Sequence, residues 1–289
     1  MNSKLCLQKE CESEIFRRWY DRIKEPFRLH RKQWEFAYIA QALYEAGLLE
    51  EGRRGLVFGV GNEPLPALFA SMGCYITATD QSFDDAKSQG WDYTHSKSHA
   101  ELNNRGLCDK DKFDSLVEYR VPVDMNNIPS DLRDYDFVWS SCSLEHLGTI
   151  EAGLKFMINA MDCVKPGGLA VHTTEYNCSP PRKEPMSEAA RRRRRRAGID
   201  PDKQPTIESG PIVMFRKCDI DDLALRLQNK NCRLVDFDDD TGSDPADKEV
   251  AMPPYPAPCT FISPDIVHLK LDIGGYVSTS AGFVIESWR

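Results

Sequence analysis

The chain has 289 residues, 41% of them hydrophobic, with 37 Lys and Arg against 45 Asp and Glu for a net charge of −8. Six cations form one run, Arg191 to Arg196, and the remaining 31 face 45 acids, so the body lacks the basic face that displaces counterions from duplex phosphate. Composition therefore argues against nucleic-acid binding and against disorder, and no window approaches the ~20 apolar residues of a bilayer span.

Residues 13 to 50 are expected to be helical. Glu14 to Arg22 forms one segment and Glu25-Pro26 breaks it. In the stretch from Trp34, Phe36, Ile39, Ala40, Leu43 and Leu48 recur at helical spacing, with Gly47 as a stop. Short apolar runs then alternate with helical patterns. Gly55 to Gly59 reads as a strand, Pro64 to Met72 as a helix and Tyr75 to Asp80 as a strand. Val117 to Val123 and Phe137 to Ser141 read as strands, Ile150 to Val164 as a helix, and Gly168 to Thr174 as a fifth strand. A helix at Asp219 to Gln228, a run at Arg233 to Phe237, and two strands joined at Gly274-Gly275 complete the chain. This order predicts an α/β, Rossmann-like fold, its mostly parallel sheet covered by helices on both faces and closed by an antiparallel hairpin. The expected organisation is a helical N-terminal cover over 1–51 and a main domain over 52–289. A mobile insertion is expected at about 178–211, rich in Pro and Arg, and an irregular Asp- and Pro-rich loop at 238–264.

Ten cysteines include no C-x-x-C pair, which argues against a structural zinc site, and no metal is expected. The first residues lack the long apolar stretch of a secretory signal, so the expected setting is cytoplasmic, with reduced thiols.

The strongest chemical signal runs from Leu56 to Asp80. A strand ends in Gly59-Val-Gly61, turns, and opens a helix with Pro64 in its first turn. Glycines there let the backbone approach a ligand, and Asp80, about twenty residues on, ends the next strand where a carboxylate accepts ribose hydroxyls. Where a dinucleotide fold places its third glycine, this chain has Glu63-Pro64, a carboxylate where an anionic diphosphate would lie. That disfavours a nicotinamide cofactor and tolerates a ligand with a cationic amino group.

Taken in order, these pieces resemble the class I S-adenosylmethionine-dependent methyltransferases across residues 52 to 289. Gly59 and Gly61 fall on that family's glycine turn, with Glu63, Pro64 and Gln81 beside the cofactor, and Asp80 on its ribose-binding acid. Val123-Asp-Met125 is similar to the adenine segment, which assigns Asp124 to the exocyclic amine and Met125 to the ring. Asp136 to Gly148 resembles the fourth-strand motif, with Ser141 at the cofactor, and Met161 to Val171 the Lys-Pro-Gly-Gly turn and fifth strand. The family's first-strand acid is missing, Val57 or Phe58 standing there, and Glu63 is the candidate to meet the methionine amino group. The phrases from Glu25 to Trp34, Cys142 to Gly148 and His172 to Asn177 are similar to a bacterial subgroup associated with surface-glycan and specialised-metabolite pathways.

The resemblance implies S-adenosyl-L-methionine as cofactor and methyl transfer to a hydroxyl or amine of a small molecule or glycan intermediate. An anionic acceptor would suit the arginines. His146 is the candidate base, with Glu145 orienting it or meeting the acceptor. Glu175, Arg28 and Trp34 are candidate acceptor ligands, while His268 reads as a structural strand histidine. The rival readings are an NAD(P)-dependent oxidoreductase and a catalytically silent binding module of the same fold. Ser140-Ser-Cys-Ser stands where base N-methyltransferases carry an Asp-Pro-Pro-Tyr motif, which argues against DNA as substrate.

Overall fold

The computed structural model describes residues 1–88, 90, 94–179, 192, 196, 208–253 and 267–288. The chain begins with strand β1 (Ser3–Leu5) and helices α1 (Gln8–Cys11), α2 (Glu14–Arg22) and α3 (Arg31–Glu45). Ser13 caps α2, its hydroxyl accepting from the Phe16 N–H, and Phe16, Trp19 and Tyr20 form the buried stripe. His30 caps α3, its Nδ1 accepting from the Lys32 N–H. Every α3 residue from Gln33 to Leu43 is buried, because α3 lies between α2 and the sheet.

There follow β2 (Arg54–Phe58), α4 (Leu65–Ser71), β3 (Tyr75–Thr79), α5 (Phe83–Ser88), α6 (Lys110–Leu116), β4 (Val117–Arg120) and β5 (Tyr135–Ser141). Then come α7 (Ile150–Ala160), β6 (Val164–Asn177), α8 (Lys217–Gln228), β7 (Cys232–Leu234), β8 (Phe237–Asp238), α9 (Pro245–Lys248), β9 (Val250–Ala251), β10 (Lys270–Ile273) and β11 (Tyr276–Ser287). The sheet runs β4-β3-β2-β5-β6-β11-β1-β8. The five strands from β4 to β6 are parallel; β11 is antiparallel to β6 and also pairs antiparallel with β7, β1 and β10. This is a Rossmann-like α/β fold with an antiparallel edge. One core packs Trp34, Tyr38, Phe69 and Trp139 under α2 to α4, and a second packs Phe58, Phe156, Leu223 and Phe283 under α7 and α8.

The expected elements reappear with ends shifted by a few residues. The β10–β11 hairpin turns at Gly274 and Gly275, both at positive φ, as a two-residue hairpin requires. The sheet has eleven strands, more than the sequence patterning resolves. β1, β8 and β9, of two or three residues each, are too short to show a periodicity. β1 also makes the N-terminal segment more than a helical cover, since Lys4 pairs with Gly282 of β11. The segment expected to be one irregular loop holds α9, where Asp244 and Asp247 form a capping box, and β9. Most of the 178–211 insertion, including four of its six consecutive arginines, lies outside the described residues. Its far end is tied down: Glu208 accepts from the Ile150 N–H and Gly148 accepts from the Gly210 N–H. Among the described residues, no helix is long and apolar enough to cross a membrane.

The close seating of α3 on the sheet depends on Gly282, where an added Cβ would stand 2.2 Å from Tyr38 Cε1. Tyr38 is itself held, its hydroxyl donating to the Asn2 carbonyl. Gly282→Ala should therefore lower stability by about 1–3 kcal/mol in urea unfolding, as an overpacked core position does.

Candidate functional site

Strand order reverses between β2 and β5, so their following segments leave in opposite directions and open a crevice at the carboxyl edge. β2 leads into Gly59 and Gly61, at φ +62° and +53°. The packing demand on both comes from the protein itself rather than from a ligand alone. A Cβ on Gly59 would meet the Ser143 side chain at 2.6 Å, and one on Gly61 would meet the Thr94 carbonyl oxygen at 2.8 Å. Met125 belongs to the same cluster, its sulfur 3.5 Å from where a Gly59 Cβ would stand. Asp124 is exposed, with Oδ1 accepting from the Asn126 N–H. Pro64 is the N-cap of α4.

Asp80, 4% exposed, sits just past β3 and is already engaged. Its Oδ2 accepts from the Gly61 N–H at 2.7 Å, its Oδ1 from the Gln81 N–H at 2.8 Å, and its backbone carbonyl from the Val123 N–H. His95 Nε2 lies 3.0 Å from Asp80 Oδ1 and 3.5 Å from the Gln81 amide nitrogen. Nothing in the sequence marked His95, which falls in a stretch without periodicity.

Glu63 does not face the crevice as a carboxylate. It is 5% exposed and accepts a 2.6 Å hydrogen bond from the Trp139 indole N–H, a buried donor that needs a partner. Burial pushes its pKa up to about 8 against the pull of the Trp139 bond and Lys32, so it is protonated at neutral pH.

Above β5, β6 and β11 lies a charged cluster contributed by α3, which sequence reasoning missed. Glu35 is fully buried, and its carboxylate meets Lys32 Nζ (2.9 Å) and accepts from Ser141 Oγ (3.2 Å), Cys142 Sγ (3.0 Å) and Ser280 Oγ (2.5 Å). Burial opposes its ionisation, but Lys32, Arg31 and these hydrogen bonds outweigh it and hold the pKa down at about 2. Lys32 Nζ also reaches Ser141 Oγ at 3.3 Å. Arg31 is ion-paired with Glu175, whose other oxygen accepts from Ser278 Oγ at 2.5 Å. Arg31, Lys32 and Glu35 sit on a helix read as an amphipathic cover; their i, i+1 and i+4 spacing is legible in the sequence, the full burial of Glu35 is not.

Glu145 is buried just beyond β5 and accepts from Thr174 Oγ1 at 3.1 Å. Burial, reinforced by the Glu175 charge, raises its pKa, with His146 pulling the other way. His146 is partly buried, with Nδ1 2.8 Å from the Pro211 carbonyl oxygen, a geometry that places the proton on Nδ1. Cys142 Sγ and one oxygen each of Glu145 and Glu175 lie within 4.8 Å of one another, a set into which Arg31 already brings positive charge.

The remaining candidates lie elsewhere. Trp34 is fully buried in the core, stacked on Tyr38 with its indole N–H donating to Glu10, so it anchors α3 instead of meeting a ligand. Arg28 is ion-paired with Glu25 at the approach to α3. His172 is buried beside Ser140 and edge-on to Phe156, and burial pushes its pKa down to about 3. His268 stacks on His30 at 4.5 Å and is structural, as its place in an apolar run suggested.

No protein-family model matches the chain, and none of the curated proteins does. Among solved structures, it is similar to a chain from Galdieria sulphuraria provisionally described as a sarcosine dimethylglycine methyltransferase. The two share 14% identity over 89% of this chain and 85% of that one, with a TM-score of 0.48. The CcbJ methyltransferase of Streptomyces caelestis is similar at 13% identity over 85% of this chain and 93% of that one, with a TM-score of 0.44. A phosphoethanolamine N-methyltransferase of Haemonchus contortus, bound to phosphomonomethylethanolamine and S-adenosylhomocysteine, shares 16% identity over 74% of this chain and 41% of that one, with a TM-score of 0.44.

Glu63 provides a test of the site's electrostatics. Its folded pKa of about 8 lies above its unfolded value, so the folded state holds the extra proton and its contribution to stability is lost as pH rises from about 5 through 8. Urea unfolding at a series of pH values should show wild type losing stability across that window more steeply than Glu63→Gln, which cannot titrate.

Proposed function

We propose that the chain is an S-adenosyl-L-methionine-dependent methyltransferase acting on a hydroxyl or amine of a small molecule or glycan intermediate. The observation that carries the reading is one juxtaposition. A glycine turn and a buried acid, Asp80, flank the switch point of a sheet whose β11 runs antiparallel between β6 and β7. That reversed strand is the edge expected of this fold and departs from the all-parallel sheet of a dinucleotide-binding domain. A pyrophosphate would also be poorly served. α4 has seven residues, and Pro64 and Pro66 remove two of the N–H groups that a helix N-terminus offers an anion.

The groups present fit the nucleoside. Asp80 would take ribose hydroxyls, Met125 would pack on the adenine with Asp124 near its amine, and Ser141 would line the methionine end. When bound, S-adenosylmethionine supplies an electrophilic methyl carbon on a sulfonium. The chain's own task is to align the acceptor in line with that carbon and to take its proton as the new bond forms. With its proton on Nδ1, His146 presents Nε2 as the basic nitrogen. Glu145, its neighbour in sequence, and Glu175, with an oxygen within 4.8 Å of one of Glu145, would meet the acceptor.

Calorimetry should show S-adenosylhomocysteine binding at micromolar Kd or tighter and NAD binding far more weakly. Asp80→Ala should cost about 1.5–3 kcal/mol of that affinity. Equal affinity for the two ligands would overturn the reading. With an acceptor in hand, His146→Ala should lower kcat by at least about a hundredfold and leave cofactor affinity within a few-fold. A change below fivefold would place the base elsewhere.

A further inference from the structure

Asp80 has fewer open positions than a ribose-binding acid needs. A carboxylate offers about four lone-pair directions, two on each oxygen. Oδ1 already accepts from the Gln81 N–H at 2.8 Å and faces His95 Nε2 at 3.0 Å, while Oδ2 accepts from the Gly61 N–H at 2.7 Å. Since the ionised carboxylate can only accept, His95 Nε2 carries the proton at this contact. Oδ1 is therefore full and Oδ2 keeps one direction. A ribose diol that grips both oxygens finds room for only one of its hydroxyls.

The two backbone donors belong to the glycine turn and to the residue after Asp80, and neither can leave without unmaking the turn. His95 can. It sits in a segment laid over the turn, where Ser96 donates its N–H to the Gly61 carbonyl at 3.2 Å and the Tyr119 hydroxyl donates to the Ser96 carbonyl at 2.9 Å. Those two bonds hold the backbone in place, while the imidazole also touches Thr94 Oγ1 and the Gln81 amide nitrogen at 3.5 Å, so the exchange requires the ring alone to turn about its side-chain bonds.

Resting on the reading of Asp80 as a ribose acid, we propose that His95 stands in for one ribose hydroxyl: it satisfies Asp80 Oδ1 in the free protein and surrenders that position to the incoming nucleoside. A buried carboxylate with an unfilled lone pair is costly, so a stand-in keeps the empty cleft satisfied. The exchange also sets what the ligand gains. In wild type a hydroxyl replaces a hydrogen bond that already exists, whereas without His95 it fills an open position.

Calorimetry with S-adenosylhomocysteine and its 2′,3′-dideoxy analogue tests this on wild type and His95→Ala. The variant is expected to bind S-adenosylhomocysteine no more weakly than wild type. The penalty for the dideoxy analogue should be at least fivefold larger in the variant. Tenfold weaker binding of S-adenosylhomocysteine by the variant, or an unchanged penalty, would show His95 to be a brace and overturn the proposal alone. Absence of binding to wild type would overturn the cofactor reading and the proposal with it. Nitrogen NMR of the wild-type imidazole covers a variant that fails to fold. The His95 Nε2 signal should move with S-adenosylhomocysteine and stay in place with the dideoxy analogue, and a signal unmoved by both ligands would overturn the exchange.

Discussion

The carboxyl edge of the sheet is organised around one fully buried carboxylate. Glu35 enters from α3 and meets donors from β5, the residue after it, and β11, while Lys32 and Arg31 supply the countercharge. Removing one partner from such a cluster would leave an ion in the interior with nothing to balance it, so the register of α3 against the sheet is constrained to within a side-chain length. Gly282 and the Tyr38 ring set the distance of approach, and Trp34 locks the helix from its other side. Ser141, Cys142 and Glu175 depend on that seating, because all three contact α3 residues.

The cleft divides its charge between two ends. At the glycine-turn end, Asp80 accepts from two backbone N–H groups, of Gly61 and Gln81. At the opposite end, Arg31 and Lys32 are balanced by Glu35 and Glu175, with burial favouring the neutral form of Glu145. Between them Glu63 keeps its proton, because Trp139 supplies one hydrogen bond and no full charge. A carboxyl that remains neutral until about pH 8 does not repel an anion as strongly as its sequence position implies. The weight against a diphosphate therefore shifts from the charge of Glu63 to the two prolines at the start of α4.

The glycine turn shows how a correct position can carry a different cause. Gly59 and Gly61 stand where a nucleotide-binding turn requires them, yet the atoms nearest to a hypothetical Cβ belong to Ser143 and Thr94. The same interlock brings residues 94–96 onto the glycine turn and Asp80. A one-dimensional pattern shows that a residue must be small and says nothing of what approaches it.

By itself the sequence determined the alternation of strands and helices, the hairpin at Gly274-Gly275, the glycine turn and the acid at Asp80. Each of these rests on local backbone geometry or on a short periodicity, and residues within a few positions suffice to specify it. The tertiary structure alone decided that Trp34 is a core anchor, that Glu63 turns inward to an indole, and that Arg31, Lys32 and Glu35 cap the carboxyl edge of the sheet. It also decided that His95 reaches Asp80 and that Ser3–Leu5 joins the far side of the sheet. Those outcomes are contacts between residues from 15 to more than 270 positions apart, set by how charge and volume are satisfied when distant segments meet. Nothing in the local pattern of either segment carries that information.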